Sequence, residues 1–273
     1  MTTSLGGVDM EANKVICGDC CDIMNNQMDA DSVDLIITSP PYDSMRDYDG
    51  FTFDYKATAK SMYRVMKPGA CCVWVVSDQT IDGSESGTSF EQALFFKSIG
   101  FNIHDTMIME KNTTSWPAKK NGLRYSQIFE YMFVFSKGKP KFVKLLCDKP
   151  NKFYKSKNWG KKTDRLKDGS LVEKADLKEI EEFSPRNNIW KFTVSGGKSN
   201  PGFKDAHKHP AIFPIEMVRS HLLTWCQEGE MVLDPLAGSG TVPAACVELK
   251  RNYIAIDCSE TYCNLMKNRL NIA

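Results

Sequence analysis

The chain has 273 residues, of which 42% are hydrophobic and 25% charged, which is ordinary usage for a globular protein with a sizeable core. This composition excludes disordered, fibrous and small disulfide-linked proteins, and no apolar run approaches the roughly 18 residues that a membrane span needs. The first ten residues lack the basic start and apolar stretch of an export signal. We therefore expect a cytoplasmic protein whose cysteines remain thiols.

The net charge of +1 conceals a strong asymmetry along the chain. Between Lys137 and Lys167 there are eleven lysines and one arginine against two acidic residues, so the rest of the chain is acidic overall. Aromatic residues interleave with these lysines at Phe142, Phe153, Tyr154 and Trp159. A solvated loop would explain the lysines alone, whereas phosphate contact combined with base stacking would use both residue types.

Short apolar runs recur along the chain, and most of them end in Asp, Ser, Gly or Pro, which is typical of buried strands. They predict seven strands, at 14–17, 33–37, 71–76, 103–109, 128–135, 231–233 and 253–256. Helices are predicted between them, at 54–66, 88–99, 214–227, 240–250 and 259–270. This alternation predicts an α/β fold with a Rossmann-like, mostly parallel sheet and helices on both faces.

Two features interrupt this alternation. The runs at 103–109 and 128–135 have no helix between them, so we expect a hairpin that contains the one antiparallel strand. The stretch 138–200 has weak periodicity and many Lys, Asn and Gly residues, which predicts a small basic insert. The insert would divide one α/β domain into a first half, 1–137, and a second half, 201–273.

One strand end carries a glycine-rich turn, and ligands bind at such carboxyl ends in open parallel sheets. Residues Asp234 to Thr241 read Asp-Pro-Leu-Ala-Gly-Ser-Gly-Thr. The glycines permit a tight turn, and the following helix start supplies N–H groups for a polar ligand, although a plain connecting loop could have the same residues. The motif lacks the lysine of a phosphate-binding P-loop. Asp257 ends the next strand, where it could accept hydrogen bonds from the ribose hydroxyls of a nucleoside cofactor.

A second strand end carries Ser39-Pro40-Pro41-Tyr42. Two consecutive prolines stiffen the backbone and remove two N–H donors, so their carbonyls form a rigid acceptor shelf. The Ser39 hydroxyl adds another acceptor, and the Tyr42 ring offers a face on which a planar ring can stack. A proline stop to the strand, followed by a surface tyrosine, is the simpler structural interpretation.

Together the two motifs resemble the catalytic and S-adenosylmethionine motifs of the DNA amino-methyltransferases. Their order, with the insert between them, is similar to the circularly permuted beta class of that family. Further matches are Gly18-Asp19, Arg64-Val65-Met66-Lys67-Pro68-Gly69, Asn188-Ile189-Trp190 and His209-Pro210-Ala211-Ile212-Phe213-Pro214. Two residues depart from the family pattern, since Leu236 replaces the usual Phe and Asp257 stands where Glu is commoner.

The resemblance implies a class I methyltransferase fold, S-adenosylmethionine as cofactor and double-stranded DNA as substrate. It implies three groups of site residues. The catalytic group is Ser39, Pro40, Pro41 and Tyr42. The cofactor-binding group is Asp19, Asp234, Pro235, Leu236, Ala237, Gly238, Ser239, Gly240, Thr241, Asp257 and Phe213. The DNA-binding group, in the basic insert, is Lys152, Lys155, Lys157, Lys161, Lys162 and Arg165.

The expected reaction is site-specific methylation of the exocyclic N(4) of a flipped-out cytosine. In this family a first-position Ser is more often associated with cytosine, but adenine-N(6) methylation on the same fold remains an alternative, as does a DNA-binding relative without turnover. A cognate restriction endonuclease is a candidate partner, and either a monomer or a homodimer is compatible with the sequence.

The spacing Cys17-Gly18-Asp19-Cys20 could suggest a zinc site, but the sequence offers no second cysteine pair for it, so we predict no metal. His221 falls within a predicted helix, and we assign it no catalytic role.

Overall fold

The computed structural model describes residues 11–41, 53–113, 124–155, 163–173, 179–194, 199–201 and 213–272. The strands are β1 (Lys14–Cys17), β2 (Val33–Thr38), β3 (Met66–Val76), β4 (Thr80–Ile81), β5 (Ser84–Glu85), β6 (Asn102–Lys111), β7 (Phe129–Ser136), β8 (Cys147–Pro150), β9 (Thr163–Arg165), β10 (Leu171–Glu173), β11 (Phe183–Pro185), β12 (Ile189–Phe192), β13 (Met231–Asp234) and β14 (Asn252–Asp257). The helices are α1 (Cys20–Asn26), α2 (Tyr55–Val65), α3 (Thr88–Ser98), α4 (Ile215–Trp225), α5 (Thr241–Glu248) and α6 (Glu260–Leu270).

The main sheet has eight strands in the order β1-β14-β13-β2-β3-β7-β6-β12. All the described pairings are parallel except the two that β7 makes, with β3 and with β6. The predicted mostly parallel sheet, its seven strands and the hairpin with an antiparallel strand are therefore confirmed. The carboxyl ends of β1, β14, β13 and β2 lie side by side at one edge of this sheet.

The sheet has one strand more than the sequence predicted. β12 pairs in parallel with β6, with Ile189 opposite Ile108 and Phe192 opposite Lys111. Its residues alternate between exposed and buried, and Trp190 and Phe192 are the buried pair. A four-residue edge strand with only two apolar anchors produces too short a pattern to stand out beside the lysine-rich stretch that precedes it.

The five predicted helices are present, and their ends agree with the predictions to within two residues. α2 begins where it does because the Asp54 side chain accepts hydrogen bonds from the backbone N–H groups of Lys56 and Ala57 at 2.9 and 3.1 Å. The short helix α1 was not predicted. Its seven residues are too few for a clear periodic pattern, and its start is set by Asp19, whose side chain accepts from Asp22 N at 2.9 Å.

The core on one face of the sheet is strongly aromatic. Trp74 on β3 and Phe135 on β7 pack against Phe96 of α3, with the Phe96 and Phe135 ring centroids 4.5 Å apart. The buried Trp74 indole also donates to Gln92 Oε1 at 2.8 Å, so its polar atom is satisfied. The same buried cluster includes Ile36 of β2 and Leu233 of β13, the two strands whose carboxyl ends carry the motifs.

Residues Leu145–Asn187 form a compact unit of their own, and the rest of the chain forms the other. The smaller unit contains two antiparallel pairs, β8 with β11 and β9 with β10. It is narrower than the predicted insert, 138–200. On the N-terminal side, Lys141 N donates to Gly69 O and Lys144 N donates to Thr224 O. On the C-terminal side, β12 belongs to the main sheet. The parts of the predicted insert before Leu145 and after Asn187 therefore belong to the larger unit. Within the described residues, no helix is long and apolar enough to cross a membrane.

Candidate active site

The glycine-rich turn between β13 and α5 has the tight geometry that its sequence predicts. Gly238 and Gly240 have φ values of +50° and +74°, a region that favours glycine. Gly240 N donates to Ala237 O, and Ala237 N donates to Ile256 O on β14, both at 2.8 Å. The turn is thus anchored to the neighbouring strand, and the first N–H groups of α5 lack partners within the helix itself.

Gly240 is also required by its surroundings. A Cβ atom at this position would lie 2.7 Å from Cγ of Met266, a buried residue of α6. The close approach of α6 to the turn therefore depends on the absence of a side chain.

Asp257, at the end of β14, holds the same turn from the other side. Its Oδ2 accepts from Gly238 N at 2.8 Å, and its Oδ1 accepts from Ser259 N at 2.9 Å. A carboxylate offers about four acceptor positions, so these two bonds do not prevent it from accepting ribose hydroxyls as well. The half-buried Asp257 therefore lies beside the turn at the end of β14.

Asp234, the last residue of β13, is buried and faces β2. Its Oδ1 accepts from Thr38 Oγ1 at 2.8 Å and from Leu236 N at 3.2 Å. Burial raises the pKa of the Asp234 carboxyl to about 7, although the hydrogen bonds from Thr38 and Leu236 oppose the rise. The residue links two strand ends rather than facing solvent, and the sequence did not indicate this.

The acceptor shelf follows β2 directly. Ser39 and Pro41 are half-buried and Pro40 is buried, while Tyr42 lies outside the described residues. Since β2 and β13 are paired neighbours, with Leu35 opposite Val232 and Ile36 opposite Leu233, the shelf and the glycine-rich turn emerge from adjacent strands. The two motifs, almost 200 residues apart in the chain, are therefore brought together.

Two further residues brace the turn and were missed by sequence reasoning. Arg269 of α6 donates to Ser239 O and to Thr241 Oγ1, both at 3.1 Å, and to Asn200 Oδ1 at 2.6 Å. Asn200 Nδ2 in turn donates to the carbonyl of Phe213 at 2.6 Å. Burial lowers the pKa of Arg269 to about 10. Nothing in the local sequence marked Arg269 or Asn200, because their partners are distant in the chain.

The remaining predicted residues of the larger unit take the following places. Asp19 is exposed and caps α1, next to Gly18, whose N–H donates to Asp257 O at 3.0 Å. Phe213 is half-buried just before α4. Pro235, Ala237 and Ser239 are buried within the turn, and Leu236 is half-buried.

His221, Cys71 and Cys226 give no sign of a reactive site. His221 is fully buried, burial lowers its pKa to about 3, and its Nδ1 accepts from Trp225 Nε1 at 3.1 Å. It is a core residue. Burial raises the pKa of the Cys71 and Cys226 thiols to about 12. Among the described residues, no group of three or more His, Cys, Asp or Glu side chains could hold a metal ion.

The smaller unit carries three of the predicted DNA-binding residues within the described ranges. Lys152, Lys155 and Arg165 are exposed, whereas Lys157, Lys161 and Lys162 lie outside those ranges. Lys152 Nζ lies 5.6 Å from the Phe153 ring centroid, and Lys155 Nζ lies 5.1 Å from that of Tyr154. Exposed aromatic rings and cations therefore occur side by side in this unit.

Comparison with known proteins gives a consistent assignment. The DNA methylase family model matches residues 33–268. The chain is 47% identical over 239 residues to the orphan methyltransferase M.BamHII of Bacillus amyloliquefaciens, covering 88% of this chain and 89% of that protein.

Two solved structures share the fold. The PvuII DNA methyltransferase (cytosine-N4-specific) matches with a TM-score of 0.69 at 17% identity, covering 97% of this chain and 89% of that one. The M1.HpyAVI–SAM complex matches with a TM-score of 0.59 at 22% identity, covering 94% and 99%. Given the family match over most of its length and the relative at 47% identity, this chain belongs to the DNA methylase family and is an S-adenosylmethionine-dependent DNA amino-methyltransferase.

Proposed function

We propose that this methyltransferase transfers a methyl group to N(4) of a cytosine that is flipped out of double-stranded DNA. The observation that carries the proposal is the side-by-side emergence of the Ser39-Pro40-Pro41 shelf and the glycine-rich turn from the paired strands β2 and β13. An acceptor site and a donor site on adjacent strand ends suit direct transfer between two bound molecules.

In this proposal the acceptor shelf makes the exocyclic amine of the base a better nucleophile. An exocyclic amino nitrogen delocalises its lone pair into the base and is therefore a poor nucleophile. In our proposal the Pro40 carbonyl and the Ser39 hydroxyl accept hydrogen bonds from the two N–H groups of this amine. These bonds draw the nitrogen towards a tetrahedral shape and aim its lone pair at the methyl group. The stiff diproline backbone keeps these acceptors in place, so neither a metal nor a covalent enzyme intermediate is required.

The turn and its surroundings suit a nucleoside cofactor with an amino-acid tail. Asp257 is anchored beside the turn by two backbone N–H groups and has the acceptor chemistry that ribose hydroxyls need. The N–H groups at the start of α5 suit a carboxylate. The residues we assign to this role are Asp19, Asp234 to Thr241, Asp257 and Phe213. When bound, S-adenosylmethionine would supply a methyl group on a sulfonium, whose sulfur would leave as a neutral thioether, and the methylated amine would release one N–H proton to solvent.

In this proposal the smaller unit binds DNA. A base inside a duplex cannot reach the shelf, so it is extruded at an expense of a few kcal/mol, and Tyr42 stacks on it. Lys152, Lys155 and Arg165, with the three lysines beyond the described ranges, contact backbone phosphates. A restriction endonuclease is the candidate partner in this proposal, and the protein acts as a monomer or a homodimer.

The choice of cytosine rests on Ser39 as the first residue of the shelf motif. A solved structure named as cytosine-N4-specific shares the fold, but at 17% identity this likeness does not separate cytosine from adenine. Adenine-N(6) methylation is the second candidate, since the same shelf suits either amine.

The deciding experiment expresses the chain in a host that lacks other DNA methyltransferases, digests the DNA to nucleosides and identifies the modified base by mass. We expect N(4)-methylcytosine. N(6)-methyladenine alone would replace cytosine by the second candidate, and unmodified DNA that the protein still binds would make it a relative without turnover.

The shelf itself is tested by Ser39→Ala and Tyr42→Ala, with Ser98→Ala as a matched control at an exposed position on α3. The first two variants should lose methylation by about 100-fold or more while their affinity for S-adenosylmethionine stays close to that of the wild type. Full activity in both would remove the shelf from the mechanism.

A further inference from the structure

Thr38 lies where the two halves of the site meet. It is the last residue of β2, it directly precedes Ser39, and its side chain is fully buried. Its hydroxyl donates to Asp234 Oδ1 at 2.8 Å, and the same oxygen accepts from Leu236 N at 3.2 Å. One carboxylate oxygen therefore connects the residue before the shelf with the first residues of the glycine-rich turn.

The hydrogen bond between Thr38 and Asp234 joins β2 and β13 beyond the last pair of residues that their backbones align. The registered pairs between β2 and β13 are Leu35 with Val232 and Ile36 with Leu233, and Thr38 lies two residues past the second of them. After Thr38 and Asp234, the backbone of each strand continues into a different loop. The side-chain bond from Thr38 to Asp234 holds them together at the place where backbone pairing has ended.

We propose that Thr38 is a positioning residue that sets the distance and angle between the acceptor shelf and the cofactor turn through the Asp234 carboxylate. The inference rests on the function proposed above and adds to it a fully buried residue whose hydroxyl donates to Asp234. Transfer in one step requires the amine, the methyl carbon and the sulfonium to be aligned, and a displacement of about 1 Å can lower such a rate about 100-fold.

Burial strengthens the hydrogen bond from Thr38 to Asp234. Both partners are buried, so water does not compete for the Asp234 oxygen, and hydrogen bonds are stronger in such surroundings. Leu236 N approaches the same oxygen, so movement of Asp234 would disturb the turn and the end of β2 together. Loss of the Thr38 hydroxyl should loosen the shelf relative to the turn without removing any group that binds either substrate.

The test compares Thr38→Val, which has nearly the same shape but no hydroxyl, with Thr38→Ser, which keeps the hydroxyl. Thr224→Val is the matched control, because Thr224 is also buried and its hydroxyl donates to Ser220 O at 2.7 Å within α4. For each protein we would measure the single-turnover rate of methyl transfer with saturating DNA and S-adenosylmethionine, both dissociation constants and the thermal midpoint.

We expect Thr38→Val to lower the single-turnover rate about 10- to 100-fold while both dissociation constants stay within about twofold of wild type. Thr38→Ser should recover the rate to within about threefold. Thr224→Val should lose a similar amount of thermal stability and keep the wild-type rate.

Three results would overturn the proposal: a wild-type rate in Thr38→Val, a loss explained entirely by weaker S-adenosylmethionine binding, or an equal loss in Thr224→Val. A Thr38→Val protein that does not fold would assign Thr38 to stability and overturn it as well. These failures are distinct from failure of the proposed function, in which the wild type itself would leave cytosine unmethylated.

Discussion

Gly240 meets two separate requirements at the start of α5. Its φ of +74° is strained for any residue with a side chain, and its Cα faces Met266 of α6 at a distance that leaves no room for a Cβ. The sequence pattern indicated the first requirement, and only the packed structure revealed the second.

Gly240→Ala should lower the free energy of unfolding by about 2–4 kcal/mol, because overpacking against Met266 adds to the backbone strain. Gly229→Ala is the matched control, since Gly229 has a φ of +79° and nothing within 4 Å of an added Cβ. It should lose only about 1 kcal/mol. Urea unfolding measures both, and equal losses in the two variants would mean that Met266 adjusts without penalty.

Burial also determines the pH at which Asp234 is protonated. Its carboxyl has a pKa of about 7 in the folded protein, against an ordinary value near 3.8 in the unfolded chain. Between these values the folded state holds a proton that the unfolded state has released. The Asp234 contribution to stability is therefore present below about pH 4 and is lost as the pH rises through about 7.

Asp234→Asn removes this titration. The stability of the variant relative to wild type should accordingly be higher at pH 8 than at pH 5, as measured by urea unfolding at the two pH values. A difference between variant and wild type that is the same at both pH values would show that Asp234 is ionised throughout this range.

At the scale of elements, the helices next to the site differ in how their starts are held. The Asp54 carboxylate accepts two backbone N–H groups at the start of α2, whereas Ser259 at the start of α6 makes no such side-chain bond. Residues with similar capping preferences thus have different roles, which depend on the backbone geometry around them.

Asp54→Ala should therefore reduce the free energy of unfolding by about 1 kcal/mol, and Ser259→Ala should change it by much less. Denaturant unfolding of the two variants beside wild type makes the comparison. A loss from Ser259→Ala as large as that from Asp54→Ala would contradict the difference in capping.

At the scale of the whole molecule, the charge asymmetry of the sequence follows the division into two units only in part. The basic run 137–167 begins in the larger unit, and the smaller unit has nine lysines and two arginines against eight acidic residues. The smaller unit, Leu145–Asn187, contains exposed lysines beside aromatic rings, and the larger unit carries the sheet with both motifs. A small net charge for the whole chain is therefore compatible with a DNA-binding protein.

Lys152→Ala combined with Lys155→Ala should weaken DNA binding and reduce the slope of log K against log salt by about 2, since each lost phosphate contact removes about 0.9. Lys60→Ala with Lys97→Ala is the matched control, because these exposed lysines lie on α2 and α3 and their removal gives the same net charge. An equal change in slope from both pairs would indicate a general effect of charge.

The sequence by itself determined the order of seven strands and five helices, the antiparallel hairpin, the two motifs and the family they resemble. It could do so because each of these is carried by local pattern: apolar runs that end in turn residues, and special residues at strand ends. The helix boundaries were accurate for the same reason.

Only the tertiary structure decided which side chains support the site. The bond from Thr38 to Asp234, the contact between Gly240 and Met266, and the links from Arg269 to Ser239 and Asn200 all join residues far apart in the chain. Burial of Asp234, and the pKa that follows from it, likewise depends on what packs around it. Such properties arise from three-dimensional neighbours, and a local pattern holds no information about them.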